Sequence, residues 1–179
     1  MNPHPLIKPL IRRYRLCKSC YIGCISESRV HYSGDIKCDV LFIGDSPSDI
    51  DISLNEPFSD RAGKLLKTLI HEAGLDHLRI AYTNAIICTP AESNGGKLRK
   101  PKKSEITNCS RRLQEFIDLA KPKLLVAVGA IADAALTKME LYHLSIIHPA
   151  AILRQEEQGD IDMARTMAVL QKIPKELNG

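Results

Sequence analysis

The sequence predicts an α/β protein, a three-layer α/β/α sandwich around a central, mainly parallel sheet. Three observations carry that prediction. The runs DVLFIG (39–44), RIAYTNAIIC (79–88) and LLVAVG (124–129) are short and almost continuously apolar, as strands covered on both faces are. Each ends in a glycine, polar or proline turn and is followed by a stretch of helical periodicity. A chain of 179 residues that is 44% apolar can also bury a substantial core without covalent staples.

Taken in order, residues 1–16 carry prolines at 3, 5 and 9 and then a short amphipathic stretch. That stretch leads directly into CKSC, so it is expected to pack beside the cysteines. The strand at 39–44 runs into Asp45-Ser46-Pro47-Ser48, a polar turn at the strand end where ligands bind in parallel sheets. GKLLKTLIHEA (63–73) places Leu65, Leu66, Leu69 and Ile70 at helical spacing, with Gly74 as its stop. The strand at 79–88 is ended by Thr89-Pro90. A helix over 103–120 carries Leu113, Phe116, Ile117 and Ala120 on one side and is closed by Pro122. The strand at 124–129 starts a helix from Ala130 to Leu136, HLSIIH (143–148) is the last apolar strand, and a helix at 160–171 follows. The whole of 1–179 reads as one domain, with 1–38 as an N-terminal segment.

Composition bounds the function. There is no basic-then-apolar leader and no apolar run long enough to span a membrane, which gives a cytoplasmic reading with no membrane partner. Disulfides are then the weaker account of six cysteines. Cys17, Cys20 and Cys24 crowd near the start, Cys88 and Cys109 lie far downstream at strand and helix ends, and Cys38 reads as a core or edge thiol. Four thiolates from the two regions could close one metal site, and thiolate chemistry alone leaves zinc and iron-sulfur both open. No GxxxxGK phosphate loop is present. The formal charge of +4 weakly favours a nucleic-acid partner. Five basic residues, Lys97, Arg99, Lys100, Lys102 and Lys103, fall within seven positions. They form either a solvated loop or a flap on a phosphate backbone.

The ordered motifs resemble the iron-sulfur-containing uracil-DNA glycosylases of the uracil-DNA glycosylase superfamily, including related modules attached to some phage DNA polymerases. The resemblance is carried by Cys17 and Cys20; Gly44-Asp45-Ser46-Pro47-Ser48; Pro57-Phe58; Ala62-Gly63-Lys64-Leu65-Leu66; Thr83-Asn84; and Cys88-Thr89-Pro90. It continues through Cys109, Val128-Gly129, His148-Pro149-Ala150 and Leu153-Arg154. Asp45 stands where the family usually has Glu or Gln, Ser48 replaces a glycine, Ser59 and Asp60 replace a hydrophobic residue and a glycine, and Ala150 replaces a serine.

The resemblance implies a [4Fe-4S] cluster held by Cys17, Cys20, Cys88 and Cys109, with 1–38 as the cluster-binding segment and Cys24 as a spare that could stand in for Cys20. It implies hydrolysis of the bond between uracil and deoxyribose in single- or double-stranded DNA, after the base has left the stack. Phe58 is then the surface on which the base stacks, and Asn84 reads its edge with one donor and one acceptor. His148 donates to uracil O2, and Asp45 orients water and stabilises the cationic sugar, with Asp49 or Asp51 as alternative holders of the water. Ser46, Ser48 and Arg154 would join the basic run on DNA phosphates. His143 has no motif of its own. The chain is read as a monomer with a replication protein as a further partner. A noncatalytic DNA-binding module and a glycosylase for another altered base are the alternatives.

Overall fold

Alternation along each strand sends neighbouring side chains to opposite faces, and this builds two cores on one sheet. The computed structural model describes residues 4–93, 96–155 and 159–178. Its strands are β1 (Ser33–Gly34), β2 (Val40–Gly44), β3 (Ile80–Asn84), β4 (Leu124–Val128) and β5 (Leu144–Ile146), in the spatial order β1-β3-β2-β4-β5. All neighbours are parallel except β1, which pairs antiparallel with β3.

Leu41 and Ile43 face helices α1 (Lys8–Tyr14), α5 (Lys103–Ala120) and α6 (Ala130–Lys138), where Leu10, Leu113, Phe116 and Leu136 complete one core. Val40 and Phe42 face α4 (Arg61–Glu72), α8 (Gly159–Leu170) and α9 (Ile173–Asn178), where Leu66, Leu69, Leu170 and Ile173 complete the other. These are the three layers expected. Each fully buried Leu, Ile or Phe contributes about 1.5–3 kcal/mol of apolar burial. Shorter helices α2 (Tyr21–Ile25), α3 (Asp49–Leu54) and α7 (Pro149–Ile152) lie in the connections.

Several elements differ from expectation. The apolar run 79–88 is strand only to Asn84. Beyond it, Ile86, Ile87 and Cys88 leave the ladder to pack with Ile22 in a small separate core under the N-terminal loop. The expected strand at 143–148 is reduced to Leu144–Ile146. Residues Asp49–Leu54, expected as loop, form α3, because Ser48 and Asp51 close a reciprocal cap at its start. Parts of two expected segments, residues 1–3 and Asn94-Gly95 of the basic stretch, lie outside the described residues. Among the described residues, no helix is long and apolar enough to cross a membrane.

Candidate active site

The connections after β2 and β4 depart in opposite directions along the sheet, and the crevice at the carboxyl ends of such strands is where α/β sheets bind ligands. Four strand ends deliver Gly44, Asn84, Gly129 and His148 there. Gly44 and Asn84 are register partners across β2 and β3. A Cβ on Gly44 would stand 2.5 Å from Asn84 Oδ1 and 2.7 Å from Phe58 Cζ, so glycine is what allows the ring and the amide to meet.

Phe58 is buried at positive φ (57°), a conformation non-glycine residues rarely adopt. Its backbone is packed so tightly against Gly63 that no side chain fits there, and its ring lies 5.6 Å from that of Tyr82. Asn84 is 3% exposed and its Nδ2 has no partner among the described residues. An unsatisfied buried donor costs about 1–3 kcal/mol, so it marks a place for an acceptor.

Opposite this pair, His148 Nδ1 accepts a hydrogen bond from Ala150 N–H (3.1 Å). The ring proton of the neutral imidazole therefore sits on Nε2. Burial lowers the His148 pKa, opposed by the charges of Asp45 and Asp60, while Arg154 adds to the lowering. Gly129, at φ +97°, lies under the ring, and a Cβ there would stand 2.9 Å from His148 Cβ. Asp45 Oδ1 accepts from Ala132 N–H (3.2 Å) in the first turn of α6, which bridges the crevice between β2 and β4. Burial raises the Asp45 pKa, and His148, the Ala132 N–H and Lys100 pull it back. A carboxylate beside a neutral imidazole whose free N–H can donate is suited to separating charge on a sugar from charge on a departing base.

Other expected residues are used differently. Asp51 is buried, and its carboxylate accepts from Ser48 N–H (2.9 Å) and Ser59 N–H (2.7 Å), so it is a helix cap and not a holder of water. Ser48 spends its N–H on Asp51 and its hydroxyl as acceptor for Asp51 N–H, which removes both from phosphate binding. Asp49 is exposed in the first turn of α3. Arg99 is drawn inward onto Glu105 (2.5 Å) and Glu92 (3.3 Å), with its side chain 13% exposed, so it braces the basic segment. Lys97, Lys100, Lys102, Lys103 and Arg154 are exposed, and Ser46 is half-buried.

Cys17, Cys20, Cys88 and Cys109 line one cavity of about 20 Å³ with Ile22, Glu105 and Arg112. Cys24 is exposed and directed to Lys18 O (3.7 Å), away from that cavity, and Cys38 is buried in the main core. Burial pushes the Cys88 thiol up to about 12, lowered by Arg29 and raised by the other three thiols. The Cys20 thiol is raised chiefly by burial. Among the described residues, no group of three His, Cys, Asp or Glu side chains is arranged to hold a metal ion. Four cysteines around one shared space supply soft donors of a kind that suits zinc or an iron-sulfur centre.

Sequence reasoning missed Arg112 and Arg29. Arg112 could have been found from its spacing, since it falls on the buried stripe 105, 112, 113, 116, 117 and 120 of α5. Arg29 carries no such signal.

A mainly parallel sheet whose strand ends gather a buried aromatic ring, a buried amide, a carboxylate and a histidine defines the class of α/β protein to which the comparisons point. The chain belongs to the uracil DNA glycosylase superfamily, whose sequence profile matches residues 31–173. It is 33% identical over 114 residues to the Type-4 uracil-DNA glycosylase of Sulfurisphaera tokodaii, covering 63% of this chain and 50% of that protein. Its match to the same-named protein of Archaeoglobus fulgidus is 25% identical and covers 84% of this chain and 87% of that one. A DNA polymerase of Bacillus phage SP01 is 26% identical over 71% of this chain and 15% of its own length. The chain thus spans about half the length of the first of these relatives. A solution NMR structure from Methanosarcina acetivorans, carried under the name uracil DNA glycosylase, shares the fold with a TM-score of 0.53 at 17% identity, over 82% of this chain and 98% of that one.

Proposed function

We propose that this protein hydrolyses the N-glycosidic bond of uracil in DNA and leaves an abasic site. The observation that carries the reading is the buried, unpartnered amide donor of Asn84, whose oxygen meets the space beside Gly44 that Phe58 also borders. That donor suits uracil O4, with the amide oxygen available for the N3–H; cytosine would present the reverse pattern. His148 Nε2–H donates to O2 as negative charge develops on the leaving base. Asp45, anchored through one oxygen by Ala132, keeps the other for water and for the positive charge on the sugar. The side chain is one methylene shorter than the family's usual glutamate, and that hydrogen bond is the contact that orients it. Lys97, Lys100, Lys102, Lys103, Arg154 and Ser46 supply phosphate contacts on single- or double-stranded DNA.

The four-thiol cavity is read as the site of a [4Fe-4S] centre on Cys17, Cys20, Cys88 and Cys109. Such a centre would supply a structural tie between the N-terminal loop and the 88–109 region, with no part in the hydrolysis. The donor set and the shared cavity support this.

The test is release of uracil from a single-stranded oligonucleotide, read as alkali-sensitive strand breaks, beside oligonucleotides carrying hypoxanthine or mismatched thymine. Asp45→Ala and His148→Ala should each slow release at least about 100-fold. Wild-type protein that binds DNA yet frees no base, with binding indifferent to Asp45→Ala, would instead establish a noncatalytic module. The partial match to a phage DNA polymerase supports only a replication-associated setting, with a replication protein as partner, for that second reading.

A further inference from the structure

Among the described residues, the buried Arg112 and the partly buried Arg29 have no acidic partner. Arg112 is 1% exposed and donates to Thr83 Oγ1 (3.2 Å), Ala85 O (3.2 Å) and Asn84 O. Arg29 donates to Cys17 O (2.9 Å), Gly23 O (2.8 Å), Ser26 O (2.8 Å) and Ser28 O (2.9 Å). Among the described residues, neither forms an ion pair with a carboxylate. Carbonyl and hydroxyl oxygens accept from the terminal nitrogens, but each Nε–H is buried without a partner among the described residues and the charge is left uncompensated, which is among the costliest features a fold can carry.

Both arginines act on the four-cysteine region, and the charge of Arg29 lowers the Cys88 thiol. Arg112 lines the cavity, and Arg29 donates to the carbonyls of Cys17 and Gly23 in the loop that carries two of the cysteines. Glu105 lines the same cavity, but its carboxylate is committed to Arg99 and to the N–H of Lys102. Four neutral thiols would leave the two cations unbalanced. Four thiolates outnumber the positive charge of the metal–sulfide core they hold, so the assembled centre is a net anion.

We propose that Arg112, with Arg29, is the charge partner of an anionic metal–thiolate centre in this cavity, and that Arg112 thereby also positions the base-reading strand end. The inference rests on the [4Fe-4S] reading above. Arg112 lines the cavity while its guanidinium bonds the carbonyls of Asn84 and Ala85, so its placement is shared by the cavity and by the residue that reads the base. Arg112 is a positioning residue, since it reaches the substrate only through Asn84.

The test compares Arg112→Lys and Arg112→Gln with wild type, purified anaerobically, for iron and acid-labile sulfide per chain and for the reduction potential of the bound centre. Steady-state kinetics on uracil-containing DNA and a thermal melt accompany each. Lysine should retain iron and keep the wild-type potential. Glutamine should lower the fraction reduced at a fixed potential about tenfold, a shift of about 59 mV for a one-electron couple, or lose iron that the lysine variant keeps. Arg29→Lys against Arg29→Gln repeats the comparison should Arg112→Gln not fold. Equal iron and equal potential in the lysine and glutamine variants overturn the proposal. Iron absent from wild type would overturn the reading beneath it instead.

Discussion

Gly44 faces Asn84 across the β2–β3 ladder, and the space its missing side chain leaves is occupied by the Asn84 amide and the edge of Phe58. Gly44→Ala would drive a methyl group into both. Displacement by about 1 Å in a reacting geometry can cost on the order of 100-fold in rate. Uracil release should fall by that order while the thermal midpoint drops only by the equivalent of about 1–3 kcal/mol of overpacking. Parallel oligonucleotide assays and melts measure both. Unchanged kcat/KM would show that Phe58 and Asn84 do not share a base.

Gly129 supports His148 as Gly44 supports Asn84. Gly129→Ala combines a strained positive φ with a Cβ 2.9 Å from His148 Cβ. The strain costs about 1–3 kcal/mol. The expected kinetic signature is a lower kcat with little change in KM, because the ring is displaced from a leaving group whose charge appears only in the transition state.

Acid should destabilise the fold before ordinary carboxylates titrate. His31 is buried, both its ring nitrogens lack partners among the described residues, and its pKa is lowered from 6.5 to about 4 by burial and then by Arg112 and Arg29. Between those values the unfolded chain binds a proton that the folded chain refuses. Stability present above pH 6.5 is therefore lost as the pH falls towards 4, by at most about 3 kcal/mol. His148, also lowered, acts in the same direction, whereas Asp45, raised by burial, opposes it. Urea midpoints at pH 7.5 and 4.5 measure the difference, and His31→Gln should flatten it.

The basic segment should divide by role. Exposed Lys100, Lys102 and Lys103, replaced together by alanine, should flatten the dependence of DNA affinity on salt by up to about three phosphate contacts. Arg99→Ala should leave that slope nearly unchanged and cost about 3 kcal/mol of stability, since Glu105 would remain buried and unpaired. Salt titrations of binding, with denaturation curves of the same proteins, separate the two.

Cysteine substitutions should sort the six thiols. Serine at Cys17, Cys20, Cys88 or Cys109 should abolish stoichiometric iron, whereas serine at Cys24, exposed and turned to Lys18, should not. Cys38→Ser should keep iron but lower stability by about 1–3 kcal/mol, the cost of a polar group in the main core. Iron analysis with visible absorbance reads the first effect and melting the second.

The sequence by itself determined the layers, because strand burial and helix amphipathicity are periodic and local: VLFIG, LLVAV and the 113–120 stripe announce their faces without knowledge of any partner. Its motifs, through their resemblance to a family, also named Asp45, Phe58, Asn84, His148 and four of the cysteines as candidates. Only the tertiary structure decided how polar side chains are spent. Asp51 became a cap, Arg99 a brace, and Arg112 an unpaired buried cation, because each choice depends on groups brought close from distant positions. Charge and hydrogen bonding are settled by those neighbours, whereas apolar periodicity is written in the chain's own repeat.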